Sequence, residues 1–136
     1  MRQILAATMT ISLVVLSASA QTAIDHMKMQ IPFAFHVNEL TLRSGTYDVD
    51  RINPALVRFA NSTTKESVLV ITPLSENGGY TYKPTLIFNR YGSDYFLSKM
   101  WFGQGSSGRA FLPTPREREL AKTSRPAQVE SVSARP

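Results

Sequence analysis

The stretch TLIFNRYGSDYFLSKMWF, residues 85–102, decides the fold. Two runs of β-branched, aromatic and long apolar residues, 85–91 and 94–102, flank Gly92-Ser93. A two-residue connection containing glycine joins antiparallel strands, because its backbone twist matches theirs. The last of these strands carries large side chains on both faces. One face can line a core, and the other must meet the C-terminal segment, a partner, a ligand or water. Cover by the chain's own tail is the plainer reading, since a monomer seldom leaves a large apolar patch open, and Arg90, Tyr91, Tyr95, Trp101 and Phe102 are otherwise the candidate interaction surface.

Upstream, the same kind of signal repeats. From Met27 to Val37 apolar residues recur every second position (Met27, Met29, Ile31, Phe33, Phe35, Val37), which predicts a half-buried strand. Pro32 removes a ladder donor and predicts a sheet edge or a bulge. Ser44-Gly45 marks a turn before a strand over 46–52, and Asn53-Pro54 marks another before a strand over 55–60. Val68 to Ile71 is apolar on both faces and predicts a strand covered on both sides. Asn77-Gly78-Gly79 lies in an expected loop from about Pro73 to Lys83.

Downstream, residues 103–108 form a glycine-rich and serine-rich connector. Thr114-Pro115-Arg116-Glu117 then matches a helix start, with threonine at the N-cap, proline at the first helical position and glutamate at the third. A helix over about 115–122 follows, with Phe111, Leu112 and Leu120 available to dock it. From 123 to 136 the chain is small, polar and proline-containing, which predicts a disordered tail. No internal repeat is present. Successive strands on short turns give an all-β class: a small antiparallel meander closed into a barrel or folded into a sandwich, with a short C-terminal helix. No crossover helices fit between the strands, which excludes parallel βαβ units.

The N-terminus carries one charge at Arg2, an apolar run from Ile4 to Leu16, and Ala18-Ser19-Ala20 before Gln21. These are the parts of a secretory signal, with cleavage expected after Ala20. The apolar run spans only about 20 Å as a helix, short of a hydrocarbon core of about 30 Å. The expected division is a signal peptide over 1–20, a single β domain over 21–122 and a tail over 123–136. The mature chain is expected in the periplasm or secreted, and not spanning the membrane. Cysteine is absent, so disulfides, thiolate metal sites and a lipid-modified cysteine are excluded, and packing alone must hold the domain together.

The formal charge of +5 falls to +4 without Arg2. Residues 21–108 hold eight basic and seven acidic side chains, whereas 109–136 hold six basic and three acidic. The basicity thus sits in the C-terminal segment, with no Lys/Arg stripe across the body, and nucleic-acid binding is not expected.

Residues 103–108, Gly-Gln-Gly-Ser-Ser-Gly, match the dinucleotide fingerprint by letter. The fingerprint needs a helix opening at its last glycine and a second parallel strand beyond it, and Arg109 to Pro113 supply neither. His26 beside Asp25, and His36, lack a further ligand at metal-binding spacing. Asp48 and Asp50 share one strand face about 7 Å apart. Pairing with Arg43 or Arg58 suits them better than acid–base catalysis, which would need His36, Asp48, Asp50 or Arg90 to converge in one cleft. No Gly-x-Ser-x-Gly elbow occurs. No catalytic residue, cofactor or metal is implied.

Ile31-Pro32-Phe33-x-Phe35, Leu42-x-x-Gly45-x-Tyr47-x-Val49, Phe88-x-Arg90-Tyr91-Gly92-x-x-Tyr95-Phe96-Leu97 and Arg116-Glu117-Arg118-Glu119-Leu120 together resemble a family of small exported bacterial proteins of uncharacterised function. The resemblance covers most of residues 29–121. It implies a β-rich envelope or secreted protein and brings no catalytic residues. The expected function is a non-enzymatic binding or structural module acting on an envelope protein or polymer, through the aromatic face or the basic tail. The alternative is a lipocalin-like carrier of a small apolar ligand, which requires a hollow interior.

Overall fold

The computed structural model describes residues 25–72, 74–76, 83–103, 108–123 and 128–133. The expected signal peptide and its cleavage point at Ala20 lie outside the described residues. The alternating run from Met27 to Val37 divides at Pro32, giving β1 (Asp25–Ile31) and β2 (Phe35–Val37). A residue without an N–H cannot continue the ladder, and its fixed φ turns the chain. β1 ends at the edge of one sheet while β2 joins the other. Met27, Met29 and Ile31 on one side of the break and Phe35 and Val37 on the other all reach the same core.

After β2 come β3 (Leu40–Leu42), β4 (Gly45–Asn53), β5 (Leu56–Asn61), β6 (Ser67–Ile71) and β7 (Leu74–Glu76). They are followed by β8 (Thr85–Tyr91), β9 (Asp94–Trp101), β10 (Gly108–Ala110), α1 (Pro115–Thr123) and β11 (Gln128–Ser133). The first sheet has the order β1-β4-β5-β6 and the second β11-β8-β9-β10-β7. β2 pairs antiparallel with β3 and meets β9 in parallel at His36 and Phe96. The inner faces of both sheets share one core, so the architecture is an all-β sandwich with a short helix. Among the described residues neither sheet closes into a barrel.

Phe35, Phe59 and Phe88 are fully buried between the sheets. Phe35 stands edge-on to Phe88 at 5.5 Å and to Tyr47 at 5.6 Å, and Phe33 stands edge-on to Phe88 at 5.0 Å. These are the separations at which ring edges meet ring faces favourably. The centre of the sandwich is filled with aromatic side chains.

The hairpin of residues 85–102 forms as its sequence predicts, with Gly92 at φ 63° in the two-residue turn. A register shift after Ile87 sets Phe88 opposite Leu97, leaving Ser98 as an extra residue in β9. Such a bulge breaks strict alternation. It lets Leu97 and Met100 enter the core while their neighbours Phe96 and Trp101 are buried as well.

Four expectations are corrected. Tyr91, Trp101 and Phe102, candidates for an exposed surface, are at most 9% accessible. The chain's own C-terminal segment takes part in this cover, with Gly108 against the Trp101 ring and Glu117 of α1 beside Tyr91. β6, expected to be covered on both faces, is an edge strand with Leu69 59% and Ile71 64% exposed. The expected loop after Pro73 contains β7, which pairs with β10. The expected disordered tail contains β11, which pairs with β8 from Gln128 opposite Arg90 to Ser133 opposite Thr85. Its composition is poor in apolar residues, but backbone pairing with the open edge of β8 requires none.

At the helix start Thr114 Oγ1 accepts from the Glu117 N–H at 3.2 Å. The Glu117 carboxyl turns toward the body of the protein and bonds to Asn89, buried at 5% exposure. The expected capping box is thus realised in its threonine half, while its glutamate docks the helix.

Candidate functional site

The hairpin tip is the part of the predicted surface that stays accessible. Arg90 and Tyr95 face each other across β8 and β9 and are both half-buried. The Arg90 guanidinium lies 5.3 Å from the Tyr95 ring centre, and its Nε donates to Gly92 O at 2.7 Å. Its Nη1 lies 3.6 Å from Glu130 of β11. Tyr95 in turn stacks on Phe33 at 3.8 Å with planes 10° apart. Tip, tail strand and the Pro32 crossover are thereby fixed together.

Beside the tip lies a groove of about 490 Å³ between the β2–β3 hairpin and the start of α1. Its walls are His36, Asn38, Glu39 and Thr41 on one side and Thr114, Pro115 and Arg116 on the other, with Phe96 between them. His36 stacks on Phe96 at 4.5 Å. Its Nδ1 meets Thr41 Oγ1 at 3.0 Å and its Nε2 meets Asp94 Oδ1 at 3.4 Å. Arg116 Nη2 reaches the same Asp94 oxygen at 3.8 Å. The groove therefore offers donors and acceptors of both signs on an aromatic support.

A second polar constellation lies on the outer face of the first sheet. His26, Asp50 and Arg58 are cross-strand neighbours on β1, β4 and β5. Asp50 accepts from His26 Nδ1 and from Arg58 Nη2, each at 2.5 Å. Burial pushes the Asp50 carboxyl up, but the hydrogen bonds and charges of His26 and Arg58 outweigh it and hold the carboxyl below its ordinary value. The expected pairing of this carboxylate with Arg58 is present. His26 Nε2 also approaches Asp48 Oδ1 at 3.7 Å, and Asp48 Oδ2 accepts from Ser62 at 3.3 Å.

These residues do not form one cleft. His36 is held by Thr41 and Asp94, Asp50 by His26 and Arg58, and Arg90 by Gly92 and Glu130. Among the described residues no three His, Asp or Glu side chains are arranged to hold a metal ion. Gly108, the last glycine of the dinucleotide-like run, opens strand β10 rather than a helix. Residues 104–107 of that run lie outside the described residues.

Glu117 and Arg109 are buried ionisable groups. Burial pushes the Glu117 carboxyl above its ordinary value, partly offset by the bond to Asn89. Burial also pushes Arg109 down, helped by the Arg51 charge, and Arg109 Nε donates to Thr72 Oγ1 at 3.0 Å. A carboxyl raised on folding contributes most stability below its unfolded value, near 4.5, and loses it as pH rises through its folded value. Glu117→Gln should therefore raise the melting temperature relative to the parent by an amount that grows as pH rises above about 4.5. A difference independent of pH would contradict this.

Sequence reasoning missed the His36–Asp94–Arg116 constellation because the parallel contact of β2 with β9 brings it together. No local spacing announces that contact. No protein-family model, curated protein or solved structure matches the chain.

Proposed function

We propose that the mature chain is an exported, non-enzymatic binding or structural module of the cell envelope, engaging a protein segment or envelope polymer at the groove beside the hairpin tip. The observation that carries this reading is the groove itself. His36, Asp94 and Arg116 are mutually oriented there, next to the exposed Glu39 and Thr41. A polar chain laid in it can exchange hydrogen bonds with both signs of charge, as at the polar rim of interfaces. The separation of His36, Asp50 and Arg90 into different settings supports a non-enzymatic role.

Export is supported by residues 2–20, and the resemblance of residues 29–121 to small exported bacterial proteins points the same way. A lipocalin-like carrier would need the volume that Phe35, Phe59 and Phe88 occupy. Helices of the described residues are too short or too polar to cross a membrane. Site-specific photocrosslinking in the producing cell tests the proposal. Probes at Glu39 and Arg116 should give one discrete adduct, and a probe at the exposed Lys28 should not.

A further inference from the structure

The first sheet has two edges, and they are built differently. β1 carries His26 and Lys28 and is followed at once by Pro32, all of which discourage pairing with another chain. β6 reads Ser67-Val68-Leu69-Val70-Ile71, with no charge, proline or glycine. Among the described residues no strand other than β5 pairs with it.

The register shows which backbone groups of β6 face outward. Asn61 N–H donates to Glu66 O and Thr72 N–H donates to Ala55 O, each at 2.8 Å. Hydrogen-bonded pairs alternate along an antiparallel ladder, so Val68 with Phe59 and Val70 with Val57 are the bonded pairs in between. Ser67, Leu69 and Ile71 consequently aim their N–H and C=O groups away from β5. Asn38 Nδ2 donates to Ile71 O at 3.2 Å, in keeping with that direction. A carbonyl oxygen accepts two hydrogen bonds, so Ile71 O retains capacity for another. Leu69 and Ile71 also present exposed apolar side chains on the outer face.

We infer that two copies of the mature chain pair antiparallel along β6 about a two-fold axis at Leu69. Leu69 then faces the second copy's Leu69, and Ser67 faces its Ile71. These three positions are the ones with outward groups, and the axis at Leu69 is the register that pairs all three of them. No like charges meet, because the strand has none, and Arg58 beside Leu69 is already bonded to Asp50. Pairing consumes both β6 edges and, among the described residues, leaves the guarded β1 edges at the ends of the joined sheet. Assembly therefore closes at the dimer instead of extending into a filament.

Sedimentation equilibrium of the mature chain at micromolar concentration should give twice the monomer mass. Leu69→Lys places two ammonium groups opposite each other and should halve that mass, with its circular dichroism spectrum unchanged. Leu112→Lys, at a residue 60% exposed elsewhere, should leave the dimer intact. The chain has no cysteine, so Leu69→Cys gives an independent readout. Facing residues of a bonded antiparallel pair lie about 5.5 Å apart at Cα, within disulfide reach, and mild oxidation should link the copies. A monomeric parent, a Leu69→Lys dimer, or no faster linkage of Leu69→Cys than of Leu112→Cys would overturn the inference.

Discussion

Truncating Phe88 to alanine is expected to cost about 3–5 kcal/mol, the range for removing a buried aromatic ring from a core. Phe88 is fully buried on β8, and Phe33 and Phe35 pack edge-on against it. Its loss leaves those rings without a partner and opens a cavity between the sheets. With no disulfide to hold the chain, a total stability of about 5–15 kcal/mol leaves little reserve. For a domain near this size each kcal/mol lowers the melting temperature by about 4–8 °C, so a fall well beyond 10 °C is expected. Phe88→Leu, which keeps most of the volume, should cost less than half as much. Urea melts with an unchanged slope measure both. A cost under about 1 kcal/mol for the alanine variant would mean that the centre is loosely filled, as a ligand carrier requires.

Gly108→Ala should be nearly as damaging although it adds a single methyl group. A Cβ at that position would lie 2.3 Å from Cζ3 and 2.4 Å from Cε3 of Trp101. Both distances are far inside van der Waals contact, and the obstacle is a rigid ring that is itself buried. Either Trp101 leaves its site or β10 moves off β9, and overpacking of this kind costs about 1–3 kcal/mol. The upper end is expected because an indole cannot yield as a flexible chain end does. Trp101 is the only tryptophan, so its emission reports directly. A red-shifted spectrum and a melting temperature lowered by several degrees are expected. Gly92→Ala makes the contrast, since a Cβ there meets nothing within 4 Å and only the positive φ is strained. Equal effects of the two substitutions would count against close packing of Trp101 on the backbone.

Much of the fold is legible in the sequence because alternation and turn residues are local signals. The hairpin of residues 85–102, the strands on either side of Asn53-Pro54 and the helix start at Thr114 follow from neighbouring residues alone. The failures concern the order of strands in the sheets. Val68 to Ile71 looks like a covered strand, but among the described residues it ends the first sheet and nothing packs over Leu69 and Ile71 on its outer face. The split at Pro32 is hidden because both halves feed one core and so keep one alternating pattern. β11 is invisible to composition because the backbone of β8 recruits it. Asp50 with Arg58 could be read from strands folding back around Pro54, whereas His36 with Asp94 depends on β2 lying parallel to β9. The burial of Tyr91, Trp101 and Phe102 likewise depends on the C-terminal segment returning over the hairpin.

The proposed role is that of an exported chain holding a partner at the groove beside the hairpin tip. Photocrosslinking from that groove is the decisive measurement. The full chain, carrying a photoreactive side chain at Glu39, Arg116 or Lys28 in turn, is expressed in the producing cell, and the envelope fraction is resolved by mass. A protein beginning at Gln21 is expected, with a discrete adduct from positions 39 and 116 that is absent from position 28. An unprocessed chain in the cytoplasm, or the same labelling from all three positions, would contradict it.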